Sequence, residues 1–194
     1  MNQQFIKAFP TTLYYIQNVL DQVQITDLRD AVEKTEQDNS PVNPDVWECD
    51  ALSTYPFVNQ HLDKFIGENF LKHITDYLDH EHGLLPQCNL NIVSWHNKYT
   101  NTQFQESHDH IGPGIVACGV YVLDQEEKST CRIQFLDPNK GVKNAAGISD
   151  IKETPDFASN DLILFPPYLQ HRVLHETEDA HRTTVSFNVS FKVS

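Results

Sequence analysis

The clearest structural pattern of the chain lies in the stretch Arg182-Thr183-Thr184-Val185-Ser186-Phe187-Asn188-Val189-Ser190-Phe191-Lys192-Val193. From Val185 onward, apolar residues alternate with polar ones at every second position. Because successive side chains of a β-strand point to opposite faces, the alternation predicts a strand with one packed face and one polar face. By default the polar face would meet water, whereas a barrel that holds a polar ligand would turn that face inward.

Six further strand-like runs precede this stretch, and no helical pattern separates one from the next. They lie at 90–99, 103–110, 115–123, 131–136, 161–165 and 171–175, with turn residues between them. Seven strands without intervening helices predict an antiparallel sandwich or barrel. The connection 137–160, which contains Pro138, Gly141, Gly147 and Pro155, is too long for a tight hairpin, so it is interpreted as a candidate lid or substrate loop.

The first 88 residues carry the helical signal. Apolar residues over 62–78 recur at three- and four-residue steps, and Gly83 follows as a stop, which predicts one amphipathic helix. A shorter helix is predicted at 26–36, with a Thr or Asp N-cap at its start. The Pro-containing stretch 38–56 is interpreted as an irregular connection.

Length and pattern together indicate one domain. A chain of 194 residues can bury one sizeable core, and no Pro-, Gly- or Ser-rich stretch divides it. We therefore predict a single domain over 1–194, in which a mostly helical part, 1–88, supports a β-rich core, 89–194. The predicted fold class is mainly β (α+β).

Composition limits the partners and the compartment. The 14 basic and 27 acidic residues give a net charge of −13, which repels polyphosphate and disfavours nucleic acid. There is no run of about 18 apolar residues and no apolar segment of a signal peptide near the N-terminus, so we expect a cytoplasmic protein (host cytoplasm if phage-encoded) without a membrane partner. The cysteines, Cys49, Cys88, Cys118 and Cys131, lack C-x-x-C spacing and are predicted to be reduced, buried thiols.

A histidine pair and a distant third histidine suggest a metal site. In His108-Asp109-His110, the two histidines project from the same face of an extended strand, while Asp109 points away. The spacing alone is a weak signal, because His80-Glu81-His82 shares it and is interpreted as a solvated helix end. His171 follows an apolar strand and a Pro-Pro turn, which can aim its side chain across a cavity. Three imidazoles would leave metal positions open for chemistry.

Two residues of the quoted strand suit an anionic ligand. Arg182 and Thr184 lie two residues apart and hence on one face, so a planar guanidinium and a hydroxyl can bind one carboxylate. The alternative for Arg182 is an ion pair at the rim with one of the many acidic residues. The residues by themselves leave both interpretations open.

Together these motifs resemble the double-stranded β-helix of the iron(II)- and 2-oxoglutarate-dependent dioxygenases. The shared order, over about 89–192, is a strand, the histidine pair, a long loop, Phe-Pro-x-x-x-x-His and Arg-x-Thr. The segment Ser94-Trp95-His96-Asn97-Lys98-Tyr99, with Gln105 before the histidine pair and Gly119-Val120-Tyr121 after it, further resembles the small 2-oxoglutarate oxygenases of bacteria and phages, and so does 182–188. The resemblance implies a cupin-like jelly roll with the N-terminal helices packed on its outside.

The resemblance assigns Fe(II) to His108, His110 and His171. Most members of the superfamily carry Asp or Glu where this chain has His110. Asp109, if a bulge turned it inward, and Glu106 are therefore alternative carboxylate ligands that would restore a set of two histidines and one carboxylate.

The resemblance also assigns a binding site for the co-substrate, 2-oxoglutarate. Its distal carboxylate is assigned to Arg182, helped by Thr184, with Asn97 and Tyr99 on the neighbouring strand as further contacts.

The implied reaction is O2-dependent decarboxylation of 2-oxoglutarate to succinate, coupled to hydroxylation of a substrate C–H bond. The substrate would be a protein, for instance a prolyl side chain, or a small molecule. Two alternatives stay open: a three-histidine cupin-type dioxygenase without co-substrate, in which Arg182 and Thr184 would lack a purpose, and a non-catalytic β-barrel binding module. Trp95 and Tyr121 are predicted to be core aromatics and not substrate contacts.

Overall fold

The computed structural model describes residues 11–45, 47–48, 50–83, 89–100, 102–138, 152–153 and 155–191. Over these residues the chain forms three helices, α1 (Gln22–Asp38), α2 (Gln60–Asn69) and α3 (Leu71–His82). It also forms ten strands: β1 (Tyr14–Ile16), β2 (Leu52–Ser53), β3 (Leu90–Tyr99), β4 (Gln105–His108), β5 (Ile115–Gln125), β6 (Ile133–Leu136), β7 (Lys152–Glu153), β8 (Leu162–Phe165), β9 (His171–Val173) and β10 (Arg182–Phe191).

The strands form two antiparallel sheets. The larger sheet has the order β1-β8-β5-β10-β3-β2, and the smaller has the order β4-β9-β6-β7. Apolar side chains of the two sheets pack in one buried cluster, with Val120 and Phe165 from the larger sheet and Ile133 and Phe135 from the smaller one. Two sheets joined by an apolar interior are the predicted jelly roll, so the predicted fold class is confirmed.

The central strand of the larger sheet is β10, which pairs with β3 on one side and β5 on the other. Its apolar face, Val185, Phe187 and Val189, belongs to a buried cluster with side chains from all three helices. Its polar face lines a cavity together with residues of the smaller sheet, and there Arg182 and Thr184 are 1% and 2% exposed. The polar face therefore turns into the barrel, and the helices cover the outside of the sheet.

The helices differ from the prediction at their boundaries. The first helix begins at Gln22 and not at 26, because Asp21 and Gln24 form a capping box in which each side chain accepts the other's backbone N–H at 2.9 Å. The predicted single helix over 62–78 is two helices that meet at Phe70. The last helix ends at Gly83, as predicted, where a φ of 60° suits glycine.

The strands also differ in detail from the prediction. Strands β4 and β9 are shorter than predicted, whereas β5 continues to Gln125. Three strands, β1, β2 and β7, were not predicted, because each has only two or three residues and cannot show an alternation. One of them, β1, pairs with β8, while β2 pairs with β3 at the opposite edge of the larger sheet.

Some expectations fall outside the described residues. They concern Cys49, Cys88 and most of the candidate lid, residues 139–151. Cys118 and Cys131 are free and buried, as predicted. In the described part of the chain, no helix has the length and apolar character that a membrane span requires.

Gly119 and Gly67 offer a matched pair of Gly→Ala substitutions that tests the packing on the outer face of the larger sheet. A Cβ on Gly119 would lie 2.1 Å from Cζ of the fully buried Phe187, and overpacking costs about 1–3 kcal/mol, so Gly119→Ala should lower Tm by several degrees. A Cβ on Gly67, in α2, would lie 3.8 Å from Ile92, so Gly67→Ala should stabilise by roughly 0.5–1 kcal/mol. Thermal unfolding followed by circular dichroism measures both, and an unchanged Tm for Gly119→Ala would contradict this packing.

Candidate functional site

Three histidines converge where β4 and β9 pair, and we call His108, His110 and His171 the histidine cluster. His108 ends β4 opposite His171, the first residue of β9. His110 follows two residues later, and its backbone N–H donates to the carbonyl of Pro167 at 2.9 Å. The ring centroids of His108 and His171 are 4.3 Å apart, and each ring pair that includes His110 is 5.1 Å apart. One ligand atom from each ring lies within 4.8 Å of the other two.

Backbone carbonyls define the tautomer of two of these rings. Nδ1 of His108 lies 2.8 Å from the carbonyl oxygen of Glu106, and Nδ1 of His171 lies 3.0 Å from that of Leu169. Because a carbonyl oxygen only accepts, each Nδ1 carries a proton. The Nε2 atoms therefore remain as the metal-binding atoms of the two rings.

Burial keeps the histidine cluster neutral. Desolvation lowers the pKa of His108, and it lowers the pKa of His110 to about 4. It also lowers the pKa of His171 well below the usual range, and the two neighbouring rings add to this effect. Neutral imidazole is the form that binds divalent metal ions, so these ligands need no deprotonation near neutral pH.

Neither carboxylate that was considered as an alternative ligand joins the histidine cluster. Asp109 is exposed, and its carboxylate accepts the N–H of Ile111 at 3.2 Å. Glu106 approaches His108 with its backbone carbonyl, but its carboxylate is not part of the cluster. Among the described His, Cys, Asp and Glu side chains, only the three histidines form a group that can share one ion. The second histidine pair, His80 and His82, lies exposed in the last turn of α3, as predicted.

The Arg182 guanidinium lies in the cavity that the histidine cluster also lines. Its Cζ is 5.8 Å from the centroid of the Tyr99 ring, and its Nε donates to Oε1 of Gln125 at 3.1 Å. Its Nη2 is buried and has no hydrogen-bond partner. A side chain that is 1% exposed is not at the rim, so the alternative interpretation of Arg182 as a rim ion pair is wrong.

The other residues assigned to the co-substrate lie beside Arg182. In the ladder between β10 and β3, Arg182 stands opposite Tyr99, and Thr184 stands opposite Asn97. Asn97 donates from Nδ2 to Ser186 Oγ at 3.2 Å and to Thr184 Oγ1 at 3.5 Å, while its Oδ1 is buried without a hydrogen-bond partner. We call Asn97, Tyr99, Arg182 and Thr184 the polar wall, because all four occupy one inward face of two paired strands.

Two polar residues that line the cavity, Ser186 and Gln105, belong to the quoted motifs but were not predicted to be site residues. Ser186 continues the alternation of Arg182 and Thr184, so strand periodicity could have identified it. Gln105, which accepts the Tyr99 hydroxyl at 3.0 Å, could not be identified in this way. It lies three residues before His108 and yet faces inward with it, because the ladder between β4 and β9 is irregular between these two positions.

One of the two predicted core aromatics, Trp95, is buried as predicted and also lines the cavity. Trp95 is 5% exposed, but its ring centroid lies 5.8 Å from that of His110, and the side chain lines the cavity. It shares the inward face of β3 with Asn97 and Tyr99, a relation that the two-residue spacing could have revealed. Tyr121 is fully buried against Phe70, with ring centroids 5.5 Å apart, so its prediction as a core residue is confirmed.

The cavity has the composition expected of a site for a metal ion and a small anion. The cavity is partly open to solvent. Its lining combines the histidine cluster and three residues of the polar wall, all but Asn97, with apolar side chains such as Val120, Ile133 and Phe165. Three neutral nitrogen donors suit Fe(II). Nη2 of Arg182, which lines the cavity, is a buried atom whose hydrogen bonds a polar ligand would complete.

A family model described as "Putative 2OG-Fe(II) oxygenase" matches residues 93–188. The matched segment contains every residue of the histidine cluster and of the polar wall. A search of curated protein sequences gave no significant match.

Solved structures of 2-oxoglutarate oxygenases share the fold. A prolyl-4-hydroxylase from Pseudomonas putida has a TM-score of 0.66 at 10% identity, over 92% of this chain and 92% of that one. HygX from Streptomyces hygroscopicus, with nickel, 2-oxoglutarate and hygromycin B bound, has a TM-score of 0.63 at 11% identity, over 93% and 83%. A Trichoplax adhaerens prolyl hydroxylase, in complex with a peptide fragment of hypoxia inducible factor, has a TM-score of 0.64 at 13% identity, over 92% and 83%.

Iron content after anaerobic loading with Fe(II) tests the ligand set. We expect His171→Ala to lose stoichiometric iron, because two imidazoles hold an ion less firmly than three. Asp109→Asn should retain iron, because this carboxylate is exposed and bound to the N–H of Ile111. His80→Ala, at the exposed end of α3, is the control and should bind iron like the wild type. Iron retained by His171→Ala, or lost from Asp109→Asn, would contradict the assignment.

Proposed function

We propose that this chain, whose residues 93–188 belong to the iron(II)- and 2-oxoglutarate-dependent oxygenases, is a hydroxylase that binds iron through the histidine cluster. We further propose that the polar wall binds 2-oxoglutarate, with Arg182 and Thr184 at the distal carboxylate and Asn97 and Tyr99 as further contacts. Fe(II), 2-oxoglutarate and O2 are the cofactors and co-substrates of this class of enzyme.

One observation carries the proposal: the buried Arg182 guanidinium shares its cavity with the histidine cluster, and its Nη2 has no partner. An unpaired buried cation costs several kcal/mol, so the arrangement favours an anionic ligand. A dicarboxylate that reaches the metal with one end supplies this anion with the other end. A three-histidine dioxygenase without co-substrate would leave the guanidinium uncompensated, so we favour the 2-oxoglutarate-dependent reaction.

When bound, iron supplies the activation of O2 that is coupled to decarboxylation of 2-oxoglutarate. The chain itself orients the metal ligands and the co-substrate and keeps water away from them. The carbonyls of Glu106 and Leu169 hold the rings of His108 and His171 in the orientation that presents Nε2. The Arg182 guanidinium and the Thr184 hydroxyl orient the co-substrate, and the apolar side chains that line the cavity limit the access of water.

The proposed substrate is a C–H bond in a protein side chain, such as that of a prolyl residue, or in a small molecule. The peptide complex among the structures of the same fold supports a protein, and the complex with hygromycin B supports a small molecule. Trp95, beside His110, would offer an apolar contact to either. The net charge of −13 argues against nucleic acid.

The direct test is the turnover of the co-substrate. The Fe(II)-loaded protein is expected to convert 2-oxoglutarate to succinate slowly without a second substrate, and only when O2 is present. Succinate is measured by NMR in aerobic and anaerobic samples, with His171→Ala as the control for iron in solution. If the wild type forms no more succinate than this control, the proposed reaction is wrong.

A second test concerns the co-substrate site. Arg182→Ala should retain iron but bind 2-oxoglutarate about 100-fold more weakly, because charge-assisted hydrogen bonds to the distal carboxylate are lost. Arg172→Ala is the matched control: this arginine of β9 donates to Oε1 of Gln134 at 2.9 Å and does not line the cavity. Calorimetry on the Ni(II)-loaded protein measures the affinity, and equal affinities for the two variants would refute the role of Arg182.

A further inference from the structure

The ladder between β10 and β5 contains a bulge next to Arg182. Thr184 stands opposite Val122, but Thr183 stands opposite Asp124, so Leu123 is an additional residue in β5. Beyond this point, Arg182 is paired with Gln125. In an unbroken ladder, the residue opposite Arg182 would be Asp124.

The bulge therefore keeps a carboxylate away from the Arg182 guanidinium. Residues directly opposite each other in a ladder share one face, so without the additional residue Asp124 would stand on the inward face with Arg182. Instead its carboxylate forms an ion pair on the outside with Arg29 of α1, with two contacts of 2.6 and 2.9 Å. A neutral amide, that of Gln125, occupies the position beside Arg182.

The Gln125 side chain is held at both ends. Its Oε1 accepts from Nε of Arg182 at 3.1 Å, and its Nε2 donates to the carbonyl of Phe157 at 3.3 Å. Its backbone N–H donates to Oγ of Ser159 at 2.9 Å. The amide therefore occupies the Nε side of the guanidinium, whereas Nη2 has no partner.

The other acidic groups near this position are also prevented from neutralising Arg182. Burial raises the pKa of the Cys131 thiol to about 11, so the thiol stays neutral. Burial by itself would raise the pKa of Glu176, but hydrogen bonds from Ser129, Thr130 and the Glu178 backbone lower it to about 2. The Glu176 carboxylate is thus charged, but its oxygens are engaged by these donors. Among the described residues, Arg182 has no ion-pair partner.

We propose that Gln125 is a positioning residue for the co-substrate, which it serves by orienting Arg182 through Nε without neutralising its charge. The bulge at Leu123 makes this possible, because it places an amide where the regular ladder would place a carboxylate. The inference rests on the proposed function, since it concerns the binding of the distal carboxylate of 2-oxoglutarate.

The test replaces the amide with a carboxylate of the same shape. Gln125→Glu places an anion against the guanidinium, so we expect 2-oxoglutarate to bind the Ni(II)-loaded protein roughly 10- to 100-fold more weakly. Gln134→Glu is the matched control, because Gln134 accepts from Arg172 as Gln125 accepts from Arg182, but away from the cavity. The control should bind 2-oxoglutarate like the wild type.

Two further measurements separate the effect of charge from damage to the fold. Gln125→Met, which removes the acceptor without adding charge, should weaken 2-oxoglutarate binding much less than Gln125→Glu does. A keto acid without the distal carboxylate, 2-oxobutyrate, should bind Gln125→Glu and the wild type equally. Equal losses of 2-oxoglutarate affinity in the Glu and Met variants, or none in the Glu variant, would overturn this inference. If the Ni(II)-loaded wild type itself does not bind 2-oxoglutarate, the proposed function fails instead.

Discussion

The whole arrangement depends on β10, a central strand whose two faces differ in chemistry. Val185 and Phe187 pack against the helices, and Arg182 and Thr184 enter the cavity. A slip of one residue in its ladder with β3 would exchange the two faces, exposing the polar side chains to the helical layer. The apolar packing that stabilises the sheet therefore also sets the direction of the guanidinium, and the fold and the co-substrate site share one register.

Burial acts in opposite ways on the two halves of the cavity. Desolvation lowers the pKa values of the histidine cluster, so its imidazoles are neutral and ready to bind a cation. Arginine, in contrast, keeps its charge in proteins, so the buried Arg182 attracts an anion. A keto acid with two carboxylates matches this pairing, because one end can meet the metal ion while the other end meets the guanidinium.

Asn97 and Tyr99 were assigned through the resemblance to the iron(II)- and 2-oxoglutarate-dependent dioxygenases, and His171 through its place after a Pro-Pro turn. Strand alternation predicted the β-rich core and the inward faces of the pairs His108/His110 and Arg182/Thr184. It failed where the backbone departs from alternation: irregular pairing brings Gln105 inward beside His108, and the bulge at Leu123 brings Gln125 inward beside Arg182. No residue type marks either irregularity, because a bulge is determined by the pairing of distant strands. The start of α1 was missed for a different reason, since its capping box lay upstream of the apolar pattern.

Charge distribution explains how an acidic protein could bind a small dianion, as proposed, although its net charge disfavours nucleic acid. The net charge of −13 acts on a polyanion at the surface, but salt screens exposed charges beyond about 8 Å. Inside the cavity, the local arrangement decides, because buried charges are screened much less. There Arg182 has no ion-pair partner among the described residues, while Asp124 is bound to Arg29, and Glu176 to Ser129 and Thr130. The proposed binding of a small dicarboxylate thus depends on the hydrogen bonds and ion pairs that hold these carboxylates away from Arg182, and not on the total charge of the protein.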